Sequence, residues 1–139
     1  MVTSEECFAK YGDPYKGKAM ILLVVPKELQ VGKIPKRIYC NRDLVMPIQI
    51  AFTNLIDRKM VDELRTWTGC FIIRKMRGSN KMSLHSWGIA IDVNGDENPM
   101  GAEPKLSEAF VDCFIDAGFD WGGYWNSPDG MHFQLASIN

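Results

Sequence analysis

The chain contains only two histidines, and each lies in a short segment that also carries an aspartate. His85 is followed seven residues later by Asp92, and Asp129 precedes His132 by three residues. Two imidazoles and one carboxylate, with a fourth position open to water, form the usual ligand set of a catalytic zinc ion. The spacing therefore predicts a zinc site with His85, Asp92 and His132 as its ligands.

These three side chains can converge only if two strands are neighbours. Side chains two residues apart in a strand share a face, so Ala90 and Asp92 point the same way, and the small Ala90 leaves space beside the carboxylate. A tight turn at Gly88 can bring His85 back to the level of Asp92. The same rule places His132 and Gln134 on one face of the second strand, with Met131 and Phe133 on the other.

Hydrolysis at such a site needs more than the metal. Zinc lowers the pKa of its water to about 7 and polarises a substrate carbonyl, and a general base must lie within reach of that water. Asp129 is the predicted base. Arg74 and Arg77 are candidates to hold a substrate carboxylate or the developing oxyanion, because a guanidinium offers a rigid fork of donors. Trp125 is a candidate wall of the cleft, together with Trp121 and Tyr124.

The composition limits the class of protein. With 139 residues, of which 46% are hydrophobic, we expect one domain over residues 1–139, with a loop-rich part at 1–40 and a catalytic core at 41–139. The net charge of -1 gives no electrostatic argument for binding nucleic acid or an anionic membrane. Basic residues between Arg74 and Lys81 are typical of a loop or a small anion site. Nothing requires more than a monomer.

Two further expectations concern the compartment. No apolar run reaches the roughly 20 residues that span a membrane, and the first ten residues lack the apolar core of a secretory leader. In a leaderless protein, widely spaced cysteines are most simply reduced, half-buried thiols. The four are Cys7, Cys40, Cys70 and Cys113.

The apolar pattern predicts an α+β fold with a small antiparallel or mixed sheet flanked by helices, and the zinc site on the sheet. Strands are expected at 20–25, 71–73, 89–93 and 131–135. One helix is expected from a cap at Asn41 or Asp43 through Ile56, with a second piece at 60–64 that continues it to Gly69. Another follows Pro104 and ends at Gly118.

The residues around both histidines resemble a known family. The first motif is Ser83-x-His85-x-x-Gly88-x-Ala90-x-Asp92, and the second is Asp129-x-x-His132-Phe133-Gln134. Both are similar to the zinc D-alanyl-D-alanine carboxypeptidase and L-alanyl-D-glutamate endopeptidase family, which includes VanY-type carboxypeptidases and many phage endolysins. The likeness extends over roughly residues 40 to 135, through the segments 69–74, 77–79 and 118–125.

The resemblance implies a D,D-peptidase or hedgehog-like fold and a zinc peptidase that cleaves the peptidoglycan stem beside D-amino acids. It implies that Asp129 is the catalytic acid/base, that Arg74 steadies substrate or oxyanion, and that Ser83 supports the site or contacts substrate. Many members carry Glu where this chain has Asp129, so the shorter side chain must sit closer or act through a slightly shifted water. Some phage members also have Asp there.

Three functions remain open at this stage. We expect a lysin-type endopeptidase that reaches the wall from the host cytoplasm after holin release, or as part of a virion. A D,D-carboxypeptidase would use the same site, with Arg74 or Arg77 on the free substrate carboxylate. A non-catalytic zinc module is the third, because the hedgehog signalling domain resembles this fold. Activity should fall in acid, since both imidazoles must be neutral to hold zinc.

Overall fold

The computed structural model describes all 139 residues and consists of three α-helices and six β-strands. The helices are α1 (Ser4–Tyr11), α2 (Val45–Asp57) and α3 (Glu108–Ile115). The strands are β1 (Met20–Val24), β2 (Arg37–Asn41), β3 (Trp67–Gly69), β4 (Ala90–Val93), β5 (Phe119–Trp121) and β6 (His132–Leu135). None of the helices combines the length and the apolar character that crossing a bilayer requires.

The strands form two antiparallel sheets, which confirms the α+β class and resolves the choice between antiparallel and mixed. Strands β1 and β2 pair with each other as a two-stranded sheet. The larger sheet has the order β3-β4-β6-β5, so β4 and β6 lie side by side at its centre. The two strands that carry Asp92 and His132 are therefore direct neighbours.

Helix α3 covers the face of the large sheet that is opposite the histidines. Its Phe114 ring stacks on Phe133 of β6 with the ring centroids 4.5 Å apart, and both side chains are fully buried. Aromatic pairs of this kind add roughly 0.5–1.5 kcal/mol to the stabilisation from apolar burial. Because Phe133 points into this core, its neighbours His132 and Gln134 must occupy the other face.

The N-terminal part contains more structure than the predicted loops around one strand. Thr3 caps α1 by accepting the N–H of Glu6, and the Glu6 carboxylate accepts the N–H of Thr3 in return. This reciprocal capping box is a recognised start signal for a helix. Strand β2 was also not predicted, although the strand at 20–25 was correct to within one residue.

Two predicted elements are wrong in detail. Helix α2 ends at Asp57, because Lys59 adopts a left-handed conformation with φ of 58°, and the segment at 60–64 forms only a short 3-10 turn. The predicted strand at 71–73 is irregular; the strand that pairs with β4 is β3, just before it. All four cysteines are free and buried rather than half-buried.

Candidate metal centre

The register between β4 and β6 creates the site. Asp92 lies directly opposite His132, and Ala90 lies opposite Gln134. Side chains that face each other across an antiparallel pair lie on the same face of the sheet with their Cβ atoms about 5 Å apart. The sheet therefore brings the carboxylate of Asp92 and the imidazole of His132 together.

A 3-10 turn at Leu84–Trp87 presents the second histidine. The buried hydroxyl of Ser83 caps this turn by accepting the N–H of His85 at 3.3 Å. Gly88 ends the turn with φ of 67°, and a Cβ atom there would lie 2.7 Å from the backbone nitrogen of Asn41. Only glycine accommodates both the conformation and this close approach.

The potential ligand atoms lie at nearly equal distances. His85 Nε2 is 3.2 Å from His132 Nδ1 and 3.2 Å from an oxygen of Asp92. The other oxygen of Asp92 lies 3.4 Å from His132 Nδ1. Ligand atoms about 2.0–2.2 Å from a tetrahedral zinc ion are roughly 3.3–3.6 Å apart. Each of these distances is close to the spacing of two ligands on one zinc ion, so His85, Asp92 and His132 could together bind a metal.

The hydrogen bonds around the rings also fit a metal. His85 Nδ1 lies 2.6 Å from the carbonyl oxygen of Cys70, and His132 Nε2 lies 2.9 Å from Oε1 of Gln134. Each oxygen accepts an N–H, which leaves a lone pair on the facing nitrogen of each ring. The buried Oδ1 of Asp92 has no hydrogen-bond partner. Lone pairs that converge without a donor call for a cation.

Asp129 stands beside this group. Its carboxylate is buried and approaches His132 Nδ1 to 4.0 Å, while its Oδ1 has no hydrogen-bond partner. The Asp129 N–H donates to the carbonyl of Gly122 at 2.9 Å. A Cβ atom at Gly122 would lie 2.6 Å from the Asp129 carbonyl oxygen, so the turn depends on this glycine.

The environment shifts the pKa values of the buried titrating groups in different directions. Burial acts to raise the pKa of Asp92, but the adjacent His132 and His85 rings outweigh it and hold that pKa well below its usual range. Burial, aided by the charge of Asp92, raises the pKa of Asp129, although both imidazoles and Arg74 oppose this. Burial acts to lower the pKa of His132, but the Asp92 carboxylate reverses the direction and raises it.

The two predicted arginines differ in their relation to the site. Both side chains are exposed, but the charge of Arg74 acts on the Asp129 carboxyl. The backbone of Arg74 is fixed to the histidine turn, because Ser86 bonds both its N–H and its carbonyl at 3.2 Å. Arg77 lies farther along, in the loop that the isolated bridge between Lys75 and Met82 closes. The two bonds to Ser86 thus tie the backbone of Arg74 to the turn that carries His85.

Trp125 forms one side of the site. Its ring centroid lies 5.3 Å from that of His132, with the planes tilted by 49°. Trp121 is buried and donates its indole N–H to the carbonyl of Gly130, while Tyr124 is largely exposed. Of the three aromatic residues, Trp125 is therefore the one in contact with a candidate ligand.

Sequence reasoning assigned no role to three supporting groups: the Cys70 carbonyl, the Ser86 hydroxyl and the Gln134 amide. A backbone carbonyl leaves no trace in residue type, so its bond to His85 could not have been found. Gln134 did carry a signal, since it shares a face with His132 in a strand whose other residues are apolar or aromatic.

Comparison with known proteins gives a match that includes the candidate metal centre. A family model described as D-alanyl-D-alanine carboxypeptidase matches residues 77–135. Comparisons with curated proteins and with solved structures gave no match. The matched segment includes His85, Asp92, Asp129 and His132, so the resemblance to this family of metallopeptidases, which the two motifs predict, is confirmed over residues 77–135.

Proposed function

We propose that this protein is a zinc-dependent peptidoglycan peptidase that cleaves stem-peptide bonds next to D-amino acids. The observation that carries the proposal is the convergence of two imidazole lone pairs and the Asp92 carboxylate, with the buried Asp129 carboxylate beside them. The match of residues 77–135 to the D-alanyl-D-alanine carboxypeptidase family supports the substrate class.

Three side chains would hold the zinc: His85 through Nε2, His132 through Nδ1 and Asp92 through its carboxylate. When bound there, zinc would act as a Lewis acid towards the substrate carbonyl and lower the pKa of a water molecule to about 7. Trp125, in contact with the His132 ring, would limit access of solvent from one side. A limited supply of water strengthens the electrostatic interactions inside the site.

Asp129 would move the proton. Its carboxylate takes a proton from the water that attacks the carbonyl carbon, and the same proton goes to the amine nitrogen when the C–N bond breaks. The raised pKa suits this double role, because a carboxyl with an ordinary pKa is a weak base near neutral pH. The guanidinium of Arg74 would donate to the oxyanion that develops during attack, or to a substrate carboxylate.

At a finer level, the resemblance of both motifs to the endolysins favours an L-alanyl-D-glutamate endopeptidase of a phage lysin. Such an enzyme would act on the cell wall after release through a holin, or from the virion. A monomer suffices, because all the proposed site residues come from one chain. Ser83 would then serve the site by capping the His85 turn rather than by contacting substrate.

A D-alanyl-D-alanine carboxypeptidase is the second candidate, favoured by the description of the matching family. In this reaction the substrate ends in a free carboxylate close to the cleaved bond. Arg74 or Arg77 would be the cation that binds that carboxylate. A non-catalytic zinc module fits less well, since Asp129 approaches the candidate ligands instead of pointing away from them.

Digestion of purified peptidoglycan separates these functions. The zinc-loaded protein and a chelated sample are incubated with the substrate, and released peptides are identified by mass spectrometry. New stem-peptide ends, seen only with zinc, are the expected result and identify an endopeptidase. Release of D-alanine alone would move the assignment to the carboxypeptidase. A protein that holds one zinc ion and releases nothing would be the binding module.

A further inference from the structure

Gln134 is a buried polar residue whose side chain has one hydrogen bond, to a candidate metal ligand. Its Oε1 lies 2.9 Å from His132 Nε2, and only 4% of Gln134 and 6% of His132 is exposed to solvent. Burial of an amide without a partner costs free energy, and an apolar residue would pack this face of a strand without that cost. The bond to His132 therefore accounts for glutamine at this position.

The sheet holds Gln134 in place from both sides. Its Cα partners are Ala90 in β4 and Asp120 in β5, so its backbone belongs to an interior strand. The small Ala90 opposite leaves room for the amide to lie along the sheet towards His132. The position of Oε1 is thus set by the central strands of the fold and not by a loop.

The bond has a consequence for the metal. A neutral imidazole carries one N–H and one lone pair. Since Oε1 accepts the Nε2–H of His132, the lone pair must be on Nδ1, the atom that lies 3.2 Å from His85 Nε2. Without this acceptor, the proton could move to Nδ1 and donate to Asp92, 3.4 Å away. In that tautomer His132 cannot bind a metal through Nδ1.

We propose that Gln134 is a positioning residue for the metal: its Oε1 keeps the proton of His132 on Nε2 and Nδ1 free for the ion. This inference rests on the proposed function, in that it takes His132 as a zinc ligand. The Cys70 carbonyl has the corresponding role for His85, with the opposite tautomer. The two histidines thus present different nitrogens to one ion.

Zinc affinity tests the proposal directly. The variants are Gln134→Met, which keeps the length but removes the acceptor, and Gln134→Glu, which keeps an acceptor. Gln49→Met on α2 is the matched control. The full chain, stripped of metal, is titrated with zinc against a chromophoric chelator. We expect Gln134→Met to bind zinc roughly 10- to 100-fold more weakly, and Gln134→Glu and Gln49→Met to stay within about threefold of wild type.

A second measurement needs no variant. The chain has only two histidines, so imidazole ¹⁵N–¹H correlation spectra of the metal-free wild type, at a pH where both rings are neutral, assign both tautomers before zinc can fix them. The expected pattern is a proton on Nε2 of His132 and on Nδ1 of His85. A proton on Nδ1 of His132 would overturn the proposal even if Gln134→Met fails to fold.

The outcomes also separate this inference from the proposed function. Unchanged zinc affinity in Gln134→Met would refute the role of Gln134 and leave the peptidase intact. Expected affinities and tautomers in a protein that cleaves no peptidoglycan would refute the peptidase and leave the role of Gln134 intact. A wild type that binds no zinc would overturn both.

Discussion

Asp92 and Asp129 are two carboxylates at one site with different environments. Asp92 lies against both imidazoles, which hold its pKa well below the usual range, whereas burial raises the pKa of Asp129. A pair of groups whose pKa values are pushed apart in this way is the usual sign of a division of roles. Asp92 stays ionised and suits a metal ligand, and Asp129 suits proton transfer.

Replacement of Asp129 tests this division. Asp129→Asn keeps the size of the side chain but cannot carry the proton, so the rate of stem-peptide cleavage should fall roughly 100- to 10,000-fold. Bound zinc, measured by atomic absorption, should remain near one ion per chain. The exposed Asp96→Asn is the matched control and should behave as wild type. Loss of zinc in Asp129→Asn would instead make Asp129 a ligand.

Substitution of the two arginines tests whether Arg74 or Arg77 contacts the substrate, a choice that the sequence left open. Arg74→Met should reduce kcat/KM by roughly 100-fold, since in the proposed mechanism its guanidinium donates to the oxyanion or to a substrate carboxylate. Arg77→Met should change it only a few-fold. Steady-state kinetics on an isolated stem peptide measure both. A larger loss for Arg77 than for Arg74 would contradict the assignment.

Much of the candidate site could be predicted at this scale because imidazole and carboxylate are chemically distinctive. Both histidines and both aspartates were named from type and spacing, and the structure brings all four together. Their supporting partners were harder to find. The Cys70 carbonyl has no signature, and Ser86 acts through the backbone of Arg74, which only the folded chain places beside it.

At the level of elements, the site depends on the pairing of β4 with β6 and on two close backbone contacts. Gly88 ends the turn that presents His85, and Gly122 lies against the turn that presents Asp129. Glycine is needed at both positions, because a Cβ atom would push Gly88 away from the backbone of Asn41 and Gly122 away from the backbone of Asp129. The geometry of the site is therefore sensitive to single methyl groups.

Gly122→Ala tests that sensitivity. The new Cβ would lie 2.6 Å from the Asp129 carbonyl oxygen and 3.3 Å from the Cβ of His132, so the turn must shift. A shift of about 1 Å at a catalytic group can reduce the rate roughly 100-fold. Cleavage rate and zinc content are measured together. Gly69→Ala is the control, since nothing lies within 4 Å of its Cβ position; equal rates for the two variants would contradict this account.

The elements were predictable where periodicity was long and regular. Helix α2 and the strands β1, β4 and β6 follow the apolar pattern of their residues. Helix α1 has only 8 residues, too few for a long periodic pattern, so its capping box was the clearest available signal. The segment at 71–73 is apolar enough for a strand, but its backbone bonds to the histidine turn, where Ile72 donates to the His85 carbonyl.

On the scale of the whole molecule, the N-terminal helix supports the histidine turn. Phe8 of α1 packs edge-to-face on Trp87, with the ring centroids 4.8 Å apart, and the Trp87 indole donates to the Gly12 carbonyl. Lys10 bonds the carbonyl of Ile138, which ties α1 to the C-terminal segment. The first 76 residues lie outside the family match, yet they pack against the element that carries His85.

The contact between α1 and the 3-10 turn that precedes α2 predicts a pH-dependent stability. Asp43 accepts the hydroxyl of Tyr11 at 2.7 Å and pairs with Lys10 at 3.1 Å. Burial opposes ionisation, but these partners outweigh it and lower the pKa of Asp43. The stabilisation is therefore present above the unfolded pKa of about 3.9 and is lost as the pH falls through the folded pKa.

Urea unfolding of the chelated protein measures this effect. At pH 7, Asp43→Asn should be less stable than wild type by about 1 kcal/mol, because solvent partly screens a charged hydrogen bond. The difference should shrink below about pH 4, the region of the unfolded carboxyl pKa. Asp96→Asn should show no such trend. A difference that stays constant from pH 7 to pH 3 would contradict the proposed ion pair.

The most direct test of the zinc peptidase is to titrate zinc into the metal-free protein while following cleavage of purified peptidoglycan. One site, formed by His85, Asp92 and His132, predicts that activity is absent without zinc, rises in proportion to it and stops rising at one equivalent. Activity in the metal-free protein would contradict the account, as would binding of one zinc ion without any cleavage.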